Sequence, residues 1–183
     1  MCYFLNMDLT NSLIIGSAVV VILLLWVAVG VRHLKNLRRD IGKQWFGVDK
    51  GMRKRQDLVP LVVEVVKKYV TGQEKLVESL ISERFKAAHV VVPTGAKVEL
   101  EHRLTELLNK TFELGKDSVE LKKDVYFLEL RREIEELEKK VDNDSKQYNE
   151  VVRMYNRHRK SVMLRPLAAM MRMKAENIFE FEV

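Results

Sequence analysis

Glu99 and His102 have the residue types and the i, i+3 spacing with which some helical bundles bind a di-iron centre. Such a centre needs a second Glu-x-x-His pair and one further Glu from each of two other helices. None of His33, His89 and His158 has Asp or Glu three residues before it. We therefore predict no metal site and interpret Glu99 and His102 as part of a solvated helix face.

Other catalytic groupings also lack their residues. The one cysteine, Cys2, cannot form an intrachain disulfide or a zinc site of several thiolates. The chain contains no Walker A loop, no G-x-G-x-x-G fingerprint and no G-x-S-x-G nucleophile elbow. We predict that the protein is not an enzyme and has no catalytic residues, no metal and no cofactor.

The composition indicates which elements position the remaining residues. Among 183 residues there are 3 Pro and 8 Gly, while 32% are charged and 47% are apolar. Few turn-forming residues and many charges favour long helices and argue against a β-sandwich or barrel. We predict an all-α protein.

Residues 13–31 predict a transmembrane anchor. These 19 residues carry no charge, and as a helix they would span roughly 28 Å, close to the thickness of a bilayer's hydrocarbon core. The alternative is a cleaved signal peptide, with Ala28-Val29-Gly30 as an imperfect cleavage site. A signal peptide starts with a basic region, and this chain has no Lys or Arg before residue 13. An uncleaved anchor is therefore the better interpretation.

The distribution of charge predicts the orientation. Residues 32–75 hold 12 Lys and Arg against 5 Asp and Glu, a balance of +7, whereas residues 1–31 carry −1 and residues 76–183 carry 0. Basic residues directly after a span favour its cytoplasmic side. We predict a single-pass protein of the cell or inner membrane, with a short head at residues 1–12 outside and the body in the cytoplasm.

Apolar residues recur at helical spacing through residues 32–163, which predicts an antiparallel up-down bundle with long first and last helices. We expect a restart or kink near Asp57, because Pro60 is tolerated best in the first turn of a helix. Residues 89–95 are expected to form a loop, and residues 164–183 an amphipathic C-terminal segment.

The last long helix carries a coiled-coil-like seam with alternating spacings of three and four residues. Asp144 is its polar exception, and Tyr148 and Tyr155 are expected to pack in the core with their hydroxyl groups bonded. The seam residues are Phe127, Leu130, Ile134, Leu137, Val141, Asp144, Tyr148, Val151 and Tyr155.

Two basic segments predict contact with a membrane surface. No Asp or Glu occurs between Glu150 and Glu176, and in the expected topology this end of the fourth helix returns to the anchor. Anionic lipid headgroups attract such residues, although a solvated helix end explains them equally well. The predicted contact residues are Arg32, Lys35, Arg38, Arg39, Arg157, Arg159, Lys160 and Arg165.

Two blocks of the sequence resemble the LemA-like family. The segment 54–60, Lys-Arg-Gln-Asp-Leu-Val-Pro, is similar to the R-x-D-L-[IV]-P segment of that family. The pairs Tyr148-Asn149 and Tyr155-Asn156, followed by Pro166 and Phe179-Glu180, are similar to its paired Tyr-Asn and terminal Pro…Phe-Glu pattern. Leu61 and Ser145 depart from the family's Asn and Arg, so the chain resembles a divergent member.

The resemblance implies a membrane-anchored antiparallel helical domain, with no established catalytic residues to carry over. Some relatives are magnetosome-associated membrane proteins, which implies a role in membrane organisation. We predict a helical scaffold or interaction protein with protein partners at the inner membrane face. The alternative is a membrane-tethered nucleic-acid-binding protein that uses the basic block, although no known nucleic-acid-binding signature supports it.

Overall fold

Long helices make up most of this chain. The computed structural model describes the backbone of residues 2–181 and the side chains of residues 13–181, so the side chains of the predicted head at residues 1–12 lie outside the described part. No strand occurs within residues 2–181, and the predicted all-α class is confirmed. The helices are α1 (Cys2–Tyr69), α2 (Glu74–His89), α3 (Gly95–Asp117), a short 3-10 helix (Leu121–Lys123), α4 (Val125–Lys160) and α5 (Arg165–Met170).

The described chain divides into two units, to which α1 and α4 both contribute. The first unit consists of Met1–Arg39 and Met154–Ala175. The second unit consists of Asp40–Arg153 and Glu176–Val183, and it contains α2, α3 and the 3-10 helix.

Helix α1 continues through Pro60 to Tyr69, so the predicted restart near Asp57 is wrong. A proline inside a helix leaves the carbonyl four residues earlier without its N–H donor. That carbonyl belongs to Gln56, and Arg84 Nε of α2 donates to it at 2.8 Å. Asp57 is exposed within the helix, with Oδ1 3.9 Å from Arg84 Nη2. A side chain from a neighbouring helix thus replaces the hydrogen bond that the proline removes.

Local residues explain where the other helices begin and end. Gly72, in the turn after α1, has φ +81°, a conformation that favours glycine. The Thr94 side chain accepts a hydrogen bond from Lys97 N and starts α3, and residues 90–94 form the predicted loop. Asp124 Oδ1 accepts from Phe127 N at 2.8 Å at the start of α4. This hydrogen bond lowers the pKa of Asp124.

The core of the second unit lies where α2 and α3 pack with α1 and the start of α4. Its buried residues include Val59, Val66, Leu80, Leu108 and Ile134. Gly115 belongs to this region, because a Cβ there would lie 2.5 Å from the Phe127 ring. Gly51 permits a similar approach of α1 to α4, since a Cβ there would lie 2.7 Å from Val141 Cγ2.

The predicted seam on α4 is confirmed in part. Phe127, Leu130, Ile134, Val141, Tyr148 and Tyr155 are buried. Leu137, Asp144 and Val151 are only half-buried. In each case the following residue is buried instead: Glu138, Ser145 and Val152, respectively. A helix with 3.6 residues per turn drifts by about 20° per heptad from a strict seven-residue repeat. The residues at a spacing of seven from Phe127 to Tyr155 stay buried, and only the second seam position of each later heptad shifts by one residue.

Only a small part of the expected amphipathic C-terminal segment is helical. Helix α5 ends at Met170, where Arg172 adopts φ 51° and Met173 N donates to Ala168 O at 2.9 Å. This is the pattern of a Schellman C-cap with a left-handed residue. Residues 173–181, which we call the C-terminal strap, continue without helix.

Candidate functional site

A set of polar side chains is buried among helices α1, α3 and α4 of the second unit. The guanidinium of Arg55 has 0% exposure and contacts two carboxylates. Its Nη2 lies 2.5 Å from Glu101 Oε2, and its Nη1 lies 2.9 Å from Glu138 Oε1. Nη1 also donates to Thr105 Oγ1 at 2.6 Å. One arginine of α1 thereby links α3 and α4.

A second cation, Lys97, also contacts Glu101. Lys97 Nζ lies 2.9 Å from Glu101 Oε1 and donates to Ala87 O at 2.7 Å. Gln56 Nε2 donates to the same Glu101 oxygen at 2.7 Å. The group thus combines two cations with two carboxylates. Each buried charge has an opposite charge beside it, which offsets the free-energy cost of removing it from water. We call it the Arg55 cluster: Arg55, Gln56, Lys97, Glu101, Thr105 and Glu138.

The two carboxylates differ in their partners. Desolvation raises the pKa of Glu138, although attraction to Arg55 and their hydrogen bond oppose it. Glu101 instead accepts from three side chains, Arg55, Gln56 and Lys97. Burial therefore makes the ionisation of Glu138 costly on folding.

The C-terminal strap is bound by side chains of α4. In the second unit, Asn149 Nδ2 donates to Phe179 O at 2.8 Å, and Asn149 Oδ1 accepts from Phe179 N at 2.7 Å. Tyr148 Oη donates to Asn177 O at 2.8 Å, and burial raises its pKa to about 12. In the first unit, Tyr155 Oη donates to Lys174 O at 3.0 Å.

Both tyrosines are buried with bonded hydroxyl groups, which confirms their predicted packing in the core. The Tyr-Asn pair at 148–149 thus recognises the backbone of the chain's own C-terminal segment.

Aromatic residues of the strap cover the Arg55 cluster. The Phe181 ring lies 5.3 Å from Arg55 Cζ, a distance typical of a cation–π contact. Phe179 packs edge-on against Trp45, with ring centroids 5.2 Å apart. His102 stacks on Phe181 at 6.0 Å. Phe181 of the strap therefore covers the Arg55 guanidinium.

Glu99 and His102, for which we predicted no metal site, contact other side chains. Glu99 pairs with Arg103 one turn along α3, and His102 stacks on Phe181. Among the side chains of residues 13–181, no group of three or more His, Cys, Asp or Glu residues could hold a metal ion.

Sequence reasoning missed the Arg55 cluster, although a signal for it exists. Arg55 lies four residues before Val59, and Glu138 lies between Ile134 and Val141 at the spacing of the buried stripe. Arginine and glutamate are residue types that usually face solvent. A cation at a core position of one helix, with an acid at a core position of another, would have indicated a buried ion pair.

The predicted membrane-contact residues all belong to the first unit, together with residues 13–31. Seven of the eight are exposed. Arg159 differs, because it is half-buried and its Nη1 donates to Met173 O at 3.3 Å on the strap. The exposed residues are Arg32, Lys35, Arg38, Arg39, Arg157, Lys160 and Arg165.

The turn between α4 and α5 and the end of α5 expose large apolar side chains in the first unit, as these basic residues do. Val162 is 91% exposed, Met163 66% and Met170 69%. Leu167 and Met173 are buried instead, so only part of the expected apolar segment faces outward. Within the first unit this turn approaches α1 at Gly30, where a Cβ would lie 2.6 Å from Leu167 and 2.9 Å from Leu164.

These features define a helical-bundle protein with one candidate membrane span, whose C-terminal strap closes over a buried ion-pair cluster. The model of the LemA family matches residues 44–183, and the chain belongs to that family. The matched region contains the whole Arg55 cluster, the Tyr-Asn pairs and the strap, which confirms the resemblance found in the sequence. No curated protein matches the chain.

Proposed function

We propose that this LemA-family protein is a membrane-anchored helical scaffold or interaction protein and not an enzyme. It presents its bundle at the inner face of a cell or inner membrane and takes part in membrane organisation. Its N-terminus lies outside, and its body is cytoplasmic. Residues 13–31 form the anchor, and the basic residues of the first unit contact anionic lipid headgroups.

One observation carries this proposal. From Leu13 to Leu25 the large apolar side chains of α1 are at least half exposed, with Leu13 at 69% and Leu24 at 63%. A single stretch of α1 is long and apolar enough to cross a membrane, and only 6% of it is buried. A continuous apolar helix without a protein partner is stable in lipid and is a liability in water.

Alkaline extraction of membranes tests the anchor. The full chain is expected to stay in the membrane pellet, and the variant Leu23→Arg/Leu24→Arg to be released, because two charges at the centre of a span are costly. The control Val119→Arg/Val125→Arg changes two exposed apolar residues of the second unit and should stay in the pellet. Release of the unchanged chain would contradict the proposal.

The interaction role is tested separately, by cross-linking in membranes followed by capture of the full chain. The scaffold proposal expects protein partners that depend on the folded bundle and are lost in a core variant such as Ile134→Asp. Capture of nucleic acid in place of protein would favour the alternative role of the basic block.

A further inference from the structure

A cavity of about 380 Å³ lies within the first unit, at the end of the apolar stretch of α1. Volumes of this order are typical of small-molecule sites, which are mostly apolar with a few polar groups. Five apolar or small residues line most of the cavity: Trp26, Val29, Gly30, Met163 and Leu164. His33, His158 and Ser161 line the remainder.

A close approach of helices at Gly30 forms one wall of the cavity. Because Gly30 has no side chain, Leu164 and Leu167 approach α1 closely there. Beside this contact, the rings of His33 and His158 meet edge-on with centroids 4.8 Å apart. Ser161 Oγ donates to His158 O at 2.8 Å, which fixes the turn that carries the serine. The cavity thus has an apolar part and a polar part in fixed positions.

The two parts match the boundary between hydrocarbon and headgroups. Trp26, Val29 and Gly30 belong to the last residues of the apolar stretch, and the distance from Trp26 to Val31 is roughly 7 Å along a helix axis. The first basic residue, Arg32, follows at once and precedes His33. A tryptophan at this depth is typical of a membrane interface.

Each polar lining residue adjoins an exposed cation in the sequence. Arg32 precedes His33, Arg157 precedes His158, and Lys160 precedes Ser161. Arg165 follows Leu164 at the start of α5. No Asp or Glu occurs from residue 9 to residue 39 or from residue 151 to residue 175. The surroundings of the cavity therefore favour an anionic group.

We propose that this cavity binds one anionic phospholipid of the inner leaflet. An acyl chain packs against Trp26, Val29 and Met163, and the phosphate lies toward His33, His158 and Ser161. The neighbouring cations select an anionic headgroup over a zwitterionic one. This site rests on the proposed function, because residues 13–31 must be in the bilayer for a lipid to reach it.

Tryptophan quenching in nanodiscs tests the site with the full chain. Trp26 and Trp45 are the two tryptophans, so a Trp45→Phe background leaves Trp26 as the reporter. Nanodiscs contain phosphatidylglycerol and phosphatidylcholine at equal fractions, with either one brominated. We expect severalfold stronger quenching of Trp26 by brominated phosphatidylglycerol. Equal quenching by the two lipids would overturn the proposal.

Two matched pairs of variants separate the cavity from general attraction at the bilayer surface. Val29→Phe should fill the cavity and reduce the preference for phosphatidylglycerol. Val21→Phe should leave the preference unchanged, because Val21 is exposed and lies nearer the N-terminus of the same apolar stretch. Arg157→Gln/Lys160→Gln should also reduce the preference, and Arg132→Gln/Lys139→Gln in the second unit should leave it unchanged.

The variants test the cavity site and the selection of the headgroup separately. If Val29→Phe and Val21→Phe behave alike, the preference belongs to the surrounding lipid and the cavity site is wrong. If the charge variants leave the preference unchanged, headgroup selection by these cations is wrong. A chain that does not enter nanodiscs contradicts the proposed anchor as well as the lipid site.

Discussion

Replacing Arg55 by methionine tests the role of the Arg55 cluster most sharply. The substitution keeps much of the side-chain volume but removes the cation that contacts Glu101 and Glu138. Lys97 still pairs with Glu101, whereas Glu138 loses the one cation it contacts in the cluster. Removing one partner of a buried ion pair typically costs about 3–5 kcal/mol, because the other charge stays buried.

The measurement is thermal unfolding of the full chain in detergent, followed by circular dichroism at 222 nm. For a chain of this size, the expected loss corresponds to a fall in Tm of roughly 6–20 °C. Arg53→Met is the matched control two residues away. Arg53 is half exposed and pairs with Asp49 of its own helix at 2.7 Å, so its loss should cost only about 0.5 kcal/mol.

The double variant Arg55→Met/Glu138→Gln refines this test. Removing the negative charge together with its partner should recover part of the loss, so the two substitutions should not be additive. Equal melting temperatures for Arg55→Met and Arg53→Met would refute a structural role for the cluster. A double variant as unstable as the sum of the single ones would show that the two residues are not coupled.

Three further predictions concern helix packing, the strap and pH. Gly51→Ala should destabilise the chain by about 1–3 kcal/mol through overpacking, whereas Gly42→Ala, with open space around it, should stabilise it by up to about 1 kcal/mol in the same melts. Asn149→Leu should abolish the hydrogen-exchange protection of the strap amide it holds, while Asn143→Leu on the exposed face of α4 should not. Because the pKa of Glu138 is raised, the folded chain binds the Glu138 proton more tightly than the unfolded chain does. The stability that this proton contributes below about pH 4 is lost as the pH rises through the raised pKa. Wild type should therefore lose stability relative to Glu138→Gln as the pH rises above about 4, and a relative gain would show that attraction to the Arg55 guanidinium dominates.

Local sequence patterns predicted the helices well, because the formation of a helix depends mainly on residues that are close in sequence. Apolar residues at helical spacing predicted a helical bundle over residues 32–163, and Gly72 and Thr94 act locally at helix boundaries. The restart expected near Asp57 failed for a tertiary reason. The hydrogen bond that Pro60 removes is replaced by Arg84 from another helix, and no local rule contains that residue.

The Arg55 cluster and the strap were beyond local reasoning for the same reason. Arg55 meets Glu101 and Glu138 across 46 and 83 residues of chain, and only packing decides that such charges are buried together. Of the Tyr-Asn pair at 148–149, Tyr148 was correctly expected to be buried. Its partner, the backbone of residues 177–179, has no side-chain signature that would reveal the contact in advance.

The orientation of the chain decides whether its bundle lies in the cytoplasm, and its single cysteine makes a test simple. In sealed right-side-out vesicles, a membrane-impermeant thiol reagent should label Cys2 without permeabilisation. In Cys2→Ser/Asn143→Cys, whose new thiol lies on the exposed face of α4, labelling should require permeabilisation. Labelling of residue 143 in sealed vesicles would contradict a membrane-anchored protein with a cytoplasmic bundle, and a shortened chain that has lost Cys2 would show that residues 13–31 are a cleaved signal peptide.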